Sequence, residues 1–136
     1  METQIKKSGL TANNYKKAKV LALNDHVKED VTLLIEGTTI NCFISYSPYQ
    51  IMIGNTYDVE LTINLADDYH IEMAQPRNTL AEWAGCGYSY FLYGELCNDS
   101  LHTFTTLNDE DVHYDHPECN DHFIKLKVER IDVTFH

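Results

Sequence analysis

The chain has 136 residues, of which 43% are hydrophobic, and its 21 acidic and 10 basic residues give a formal net charge of −11. This length fits one domain with a single core, and no apolar run approaches the ~20 residues that a membrane span needs. The charge is uneven, because residues 20–136 hold 20 acids against five bases. Such a field repels nucleic acid and anionic lipid and favours a basic protein partner, although solubility alone explains it equally well.

Residues 1–19 are polar and contain five lysines, without the apolar stretch or the cleavage site of a secretory signal. We therefore expect a polar N-terminal arm, 1–19, followed by a single β-barrel domain, 20–136, in the cytoplasm. The four cysteines form no C-x-x-C pair, which favours free thiols in a reducing compartment over disulfides.

Alternation of apolar and polar side chains predicts most of the strands. An apolar run at 20–23 precedes alternating strands at 31–35, 40–46 and 57–65. In the second of these, Ile40, Cys42, Ile44 and Tyr46 are expected to point inward. An aromatic strand at 88–96 has 101–107 as its hairpin mate, and the clearest strand runs from 123 to 135.

Two local features interrupt this pattern. Thr79 and Glu82 have the spacing of a capping box, which predicts a short helix within residues 78–85 that packs through Trp83. In the last strand the apolar series steps by three residues between Val128 and Ile131. Either a bulge restores the inward face there, or the strand passes from one packing layer to another; in both cases Phe135 lies inside.

The order of meander strands, short helix and further strands predicts a mainly β fold. Its leading form is a single OB-like antiparallel β-barrel, with the aromatic hairpin and the long segment before the last strand as additions. A seven-stranded β-sandwich is the alternative, since turn spacing alone does not separate the two.

The segment 109–122 is the candidate binding surface, because six of its first thirteen residues are acidic and an aromatic residue lies among them. Dense charge steers a cationic partner, and an exposed aromatic side chain holds it. A solvated loop without a role is the alternative. The predicted partner-binding residues are Asp109, Glu110, Asp111, Tyr114, Asp115, Glu118 and Asp121, with Asp67 and Asp68 as a second acidic zone.

The same segment has a possible metal-binding pattern, since His113, His116, Cys119 and His122 recur at every third residue. Imidazole and thiolate are the ligands that zinc prefers. Known zinc sites, however, usually take two separated pairs of ligands. We therefore expect no metal and no other cofactor, and metal binding remains an alternative.

No catalytic motif is present, and the pair Asp67–Asp68 beside His70 is typical of a polar turn, so we do not expect an enzyme. The aromatic strand could stack nucleic-acid bases through Tyr88, Tyr90, Phe91 and Tyr93. No basic groove accompanies these side chains in the sequence, which disfavours that function.

Four segments, 31–44, 54–61, 90–96 and 123–132, resemble those of small bacterial proteins with OB-like barrels. Size, acidity and barrel together also resemble the immunity proteins encoded beside polymorphic or contact-dependent inhibition toxins. The resemblance lies in strand patterns and transfers no functional residue. It implies a non-enzymatic protein that neutralises a basic, nuclease-type toxin by occluding its active site. The alternatives are an OB-like accessory or ligand-binding protein and a metal-binding protein.

Overall fold

The computed structural model describes residues 15–136, apart from the side chain of Glu110. The strands are β1 Tyr15–Leu23, β2 Asp30–Ile35, β3 Thr38–Tyr46, β4 Thr56–Asn64, β5 Ile71–Met73, β6 Ala81–Trp83, β7 Tyr90–Cys97, β8 Ser100–His102, β9 Thr106–Asn108, β10 Phe123–Val128 and β11 Arg130–Phe135. Helix α1, Glu110–Asp115, and a 3-10 helix, Pro117–Cys119, precede β10. Neither these helices nor any other within residues 15–136 has the length and apolar character that a membrane span requires.

Five strands close into a barrel in the order β1-β2-β3-β11-β4, with β4 pairing back to β1. All neighbours are antiparallel except β3 and β11, which run parallel. A closed barrel is the leading form that the sequence predicted, although its β3–β11 pair is parallel and not antiparallel. The prediction of a mainly β fold is confirmed.

The residues between β4 and β11 build a second sheet in the order β5-β10-β7-β8-β9, and β6 also pairs with β7. Barrel and second sheet share one continuous apolar core. Its fully buried members include Val20, Val31, Leu33, Ile35, Ile40, Val59, Ile131, Val133 and Phe135 from the barrel and Leu92, Ile124, Leu126 and Val128 from the second sheet.

The chain crosses from the second sheet into the barrel at Glu129, between β10 and β11. Of the two predictions for this step, the change of packing layer is confirmed, and Phe135 is fully buried as expected. The crossing residue keeps its backbone hydrogen bonds, because its N–H donates to the carbonyl of Asn64 at 2.8 Å and its carbonyl accepts from the Ser89 hydroxyl at 3.3 Å.

Side chains of the second sheet complete the barrel wall. The parallel pairing of β3 with β11 begins only at Phe43. The residues of β3 before Phe43 therefore have no β11 residue beside them, which leaves a gap in the barrel wall between these two strands. The Tyr90 hydroxyl enters it and accepts the backbone N–H of Asn41 at 2.9 Å. At the β2–β3 turn, the Thr105 hydroxyl donates to the carboxylate of Glu36.

The predicted helix at 78–85 is wrong, because residues 81–83 form strand β6 along β7. Pairing with β7 and the bond from the Tyr93 N–H to the Leu80 carbonyl take up the local backbone groups. Gly85 and Gly87, both at positive φ, form a turn instead of ending a helix. Tertiary pairing has therefore overridden the local capping signal.

The boundary between arm and barrel also differs from the prediction. Strand β1 begins at Tyr15 and pairs with β4 from its first residue, so residues 15–19 belong to the barrel. Three lysines concealed the strand, and only Ala18 of those five residues is buried. The rest of the predicted arm, residues 1–14, lies outside the described residues. Tyr46, expected inside, is 58% exposed because β3 ends there at the barrel rim.

We expect Gly94→Ala to destabilise the protein by about 1–3 kcal/mol, the usual cost of overpacking. A Cβ at this position would lie 2.2 Å from the carbonyl oxygen of His102 on β8, which is backbone and cannot rotate away. Urea denaturation measures the effect as a lower midpoint. The control Glu95→Ala, at an exposed position of the same strand, should stay within about 0.5 kcal/mol of wild type. Equal midpoints for the two variants would contradict the close approach.

Tyr90→Phe should lower the free energy of unfolding by about 1–3 kcal/mol, since it leaves the Asn41 N–H without its acceptor in a partly buried place. Calorimetry or urea denaturation can measure this loss. Tyr114→Phe removes a hydroxyl from a side chain that is 73% exposed and should be neutral. If Tyr90→Phe left the free energy of unfolding unchanged, this would show that water replaces the hydroxyl in the gap.

Candidate functional site

The acidic segment 109–122, a loop by its sequence, contains helix α1 and the 3-10 helix. The Asp109 side chain caps α1 by accepting the N–H groups of Asp111 at 2.8 Å and Val112 at 3.4 Å. Val112 and Cys119 are buried and attach the segment to the core. An acidic helix held by two apolar anchors presents its remaining side chains outward.

The predicted binding residues occupy that outer side. Asp111, Asp115, Glu118 and Asp121 are exposed, and Tyr114 is 73% exposed. Asp109 is half-buried, and burial raises the pKa of its carboxyl, opposed by the N–H groups that it accepts. The side chain of Glu110 lies outside the described part of the chain.

Tyr69 joins the two acidic zones that the sequence kept apart. Its hydroxyl lies 3.4 Å from Oδ2 of Asp115, and its ring meets the ring of His116 edge-on at 5.5 Å between centroids. Asp67 and Asp68, its exposed sequence neighbours, therefore lie beside α1. We call the exposed carboxylates of Asp67, Asp68, Asp111, Asp115 and Glu118, with Tyr69 and Tyr114 among them, the acidic surface.

The electrostatics of Tyr69 reflect this position. Burial raises its pKa to about 12, with further contributions from the charge and the hydrogen bond of Asp115 and from Asp109 and Asp111. Within residues 15–136, no lysine or arginine lies within 4 Å of the carboxylates of the acidic surface. Glu118 has His116 at 3.6 Å.

A cleft of about 260 Å³ adjoins the acidic surface, at the place where the chain crosses between the sheets. Asp68 and Tyr69 line one side, and Ser89, Lys127 and Glu129 line the other. The surface is therefore concave beside Tyr69, with space for one side chain of a partner.

The four residues of the possible metal set do not form a site in the described structure. Residues 15–136 contain no group of three His, Cys, Asp or Glu side chains placed to hold a metal ion. Cys119 is buried, which raises its thiol pKa, and His122 is exposed. The ring of His113 lies tilted against that of Tyr114 at 4.4 Å between centroids, and its buried Nδ1 has no hydrogen-bond partner among the described residues.

The aromatic strand does not offer the stacking platform that was considered for bases. Tyr90 and Tyr93 are 7% and 5% exposed. The guanidinium of Arg77 lies 3.9 Å from the ring centre of Tyr93, and Lys125 Nζ lies 4.3 Å from that of Phe91. These cation–π contacts cover the rings that the core leaves accessible.

Sequence reasoning missed Tyr69 altogether. The chain separation of 46 residues between Tyr69 and Asp115 gives no local signal of their contact. The helix was detectable, since Asp109 followed by two further acids is the composition of a capped N-terminus.

Fold and surface together define a small, mainly β protein, an OB-like barrel with an acidic surface on the segment inserted before its last strand. The chain belongs to the family described as uncharacterised conserved protein UCP019853, whose model matches residues 14–136. No curated protein and no solved structure matches the chain. The family description states no activity, so function has to be argued from geometry.

Raising the pH through about 10 to 12 should destabilise wild type more than Tyr69→Phe. A tyrosine whose pKa is higher in the folded chain than in the unfolded chain holds its proton more tightly when folded. Its stabilising contribution is therefore complete below the unfolded value of about 10 and is lost as pH rises towards 12. Urea midpoints at about pH 9 and about pH 11 measure the difference, and Asp115→Asn should reduce it by removing one cause of the shift. If wild type and Tyr69→Phe lost the same stability between these pH values, the pKa of Tyr69 would be that of an ordinary, solvent-exposed tyrosine.

Proposed function

We propose that this protein is a non-catalytic binding protein, an immunity protein that neutralises a basic, nuclease-type toxin by occluding its active site. The observation that carries the proposal is the contact of Tyr69 with Asp115 and His116, which merges two acidic zones into one surface.

The negative charge of the acidic surface supplies the attraction. Its carboxylates make no salt bridge with a lysine or an arginine among the described residues, and their field accelerates the encounter with a cationic protein. A row of such carboxylates imitates the phosphates of a nucleic acid, so a nuclease groove that binds phosphates also binds this surface. Inhibition then needs no chemistry from this chain, only occupancy.

The shape of the surface determines how long a partner stays bound. Tyr114 projects from α1 with 73% of its surface exposed, as an aromatic anchor does before binding. The cleft beside Tyr69 takes a partner side chain in return, and its walls carry Lys127 as well as Asp68 and Glu129, so they suit a polar side chain. Charge thus governs association, and the anchor and the cleft govern dissociation.

Affinity capture tests the proposal, with the immobilised chain as bait for a lysate of its own source organism. We expect wild type to retain a basic protein that Asp111→Lys releases and that Glu95→Lys still retains. Both substitutions change the net charge equally at exposed positions, but only Asp111 lies on the acidic surface. Asp109 is unsuitable because it caps α1. Equal retention by all three baits, or no basic protein at all, would refute the proposal.

With the captured protein in hand, Asp111→Lys should slow association about 3- to 10-fold at low salt, with a weaker salt dependence. Tyr114→Ala should instead speed dissociation about tenfold and leave association nearly unchanged. Stopped-flow and surface-plasmon measurements separate the two rates. Trp83→Ala is the control, since Trp83 is 55% exposed on another part of the second sheet. Association slowed by Tyr114→Ala, or dissociation alone changed by Asp111→Lys, would contradict this division of roles.

A further inference from the structure

A second cleft adjoins the acidic surface at Tyr114. Its volume is about 360 Å³, and it is lined by Asn98 and Asp99 from the turn between β7 and β8 and by His113 and Tyr114 of α1. We call it the Tyr114 cleft. Pockets that bind small ligands have volumes of roughly 300–1,000 Å³, so the cleft has room for the end of a long side chain.

Hydrogen bonds fix the two walls of the Tyr114 cleft relative to each other. The Asn98 N–H donates to Oδ1 of Asn120, just after the 3-10 helix, at 2.8 Å. The Asp109 N–H, at the start of α1, donates to the Asp99 carbonyl at 2.8 Å. The backbone of both walls is therefore in place before a ligand arrives, which lowers the entropy cost of binding.

The charge of the Tyr114 cleft is negative. Asp99 is exposed, and it makes no salt bridge with a lysine or an arginine among the described residues. The cleft beside Tyr69 differs in this respect, because Lys127 forms part of its wall. No basic residue of the described part of the chain lines the Tyr114 cleft, which therefore favours a cationic group.

His113 adds a polar atom that lacks a partner. Its Nδ1 is buried and has no hydrogen-bond partner among the described residues. In the tautomer that carries its proton on Nε2, Nδ1 is an acceptor. Because a buried polar atom without a partner is costly, a ligand that brings a donor to this ring binds more favourably than one that does not.

The shape of the lining distinguishes a guanidinium from an ammonium group. Tyr114 is 73% exposed, and its ring gives the cleft a flat aromatic wall. A guanidinium is planar, stacks on aromatic rings and carries five N–H donors, enough for the Asp99 carboxylate and the His113 ring together. An ammonium is a compact, strongly hydrated charge that gains less from the ring.

We propose that the Tyr114 cleft is the part of the binding surface that receives an arginine side chain of the basic partner. The guanidinium pairs with the carboxylate of Asp99, packs against the ring of Tyr114 and donates to Nδ1 of His113. This inference rests on the proposed function, since it names the side chain that the partner contributes. It also adds Asp99 to the residues that contact the partner.

NMR titration of the ¹⁵N-labelled full chain tests the cleft without the partner. The probes are two blocked tripeptides, glycine-arginine-glycine and glycine-lysine-glycine, at equal ionic strength. We expect the arginine peptide to shift the amide signals of residues 98, 99, 113 and 114 and to bind about 3- to 5-fold more tightly than the lysine peptide.

Asp99→Asn should weaken the arginine peptide about 3- to 5-fold, because it removes the charge and keeps the shape of the side chain. Glu95→Gln is the matched control, at an exposed acid on the strand that leads into the turn, and should leave the affinity unchanged. Tyr114→Leu should abolish the preference for arginine over lysine. Thermal unfolding shows whether each variant is folded.

Equal affinities of the two peptides for wild type would overturn the proposal. Signals shifted only outside the cleft, or an affinity that Asp99→Asn leaves unchanged, would do the same. Affinity capture from the lysate is a separate measurement, so the two proposals can fail independently. If a basic protein is captured but the arginine peptide is not preferred, only the cleft is wrong; if the peptide is preferred and no basic protein is captured, only the proposed function is wrong.

Discussion

The crossing of the last strand at Glu129 is the constraint on which the rest of the fold depends. Side chains alternate along a strand, so a three-residue step between Val128 and Ile131 cannot keep both on one face of one sheet. The chain resolves the conflict by leaving the second sheet and closing the barrel. Burial of Val128 and Ile131 in one core is possible only because the two layers meet there.

The crossing fixes the positions of the other elements. Since β10 and β11 are nearly continuous, the second sheet must pack against the barrel at the gap between β3 and β11. Arg130, the first residue after the crossing, pairs with Asp132 at 2.6 Å and lies over the ring of Phe43 at 4.1 Å. These contacts and the hydrogen bond of the Tyr90 hydroxyl add polar interactions of defined geometry to the apolar packing of the junction. The acidic surface is tied to this junction, because α1 and the 3-10 helix precede β10 in the chain.

The strands with a simple alternation could be predicted from the sequence, because one face of each is buried in the core. The strands 31–35 and 57–65 belong to this group, as do the two halves of the last predicted strand, which form β10 and β11. The prediction failed where backbone partners are distant in the chain, as at β6, whose hydrogen-bond partners lie on β7. For the candidate site, the acidic residues and Tyr114 could be named from composition. Their assembly through Tyr69 could not, because no local pattern encodes a contact between a turn and a helix 46 residues apart.

Charge is distributed unequally between the barrel strands and the segment inserted between them. Residues 65–129, inserted between two barrel strands, hold thirteen acids and three bases and carry nearly the whole net charge. Acids confined to a docked insertion repel each other without opposing closure of the barrel, whose strands are nearly neutral. The barrel can therefore remain stable while the insertion accumulates charge. This division explains why an OB-like barrel, a fold often used for nucleic acid, here presents a surface of the opposite sign.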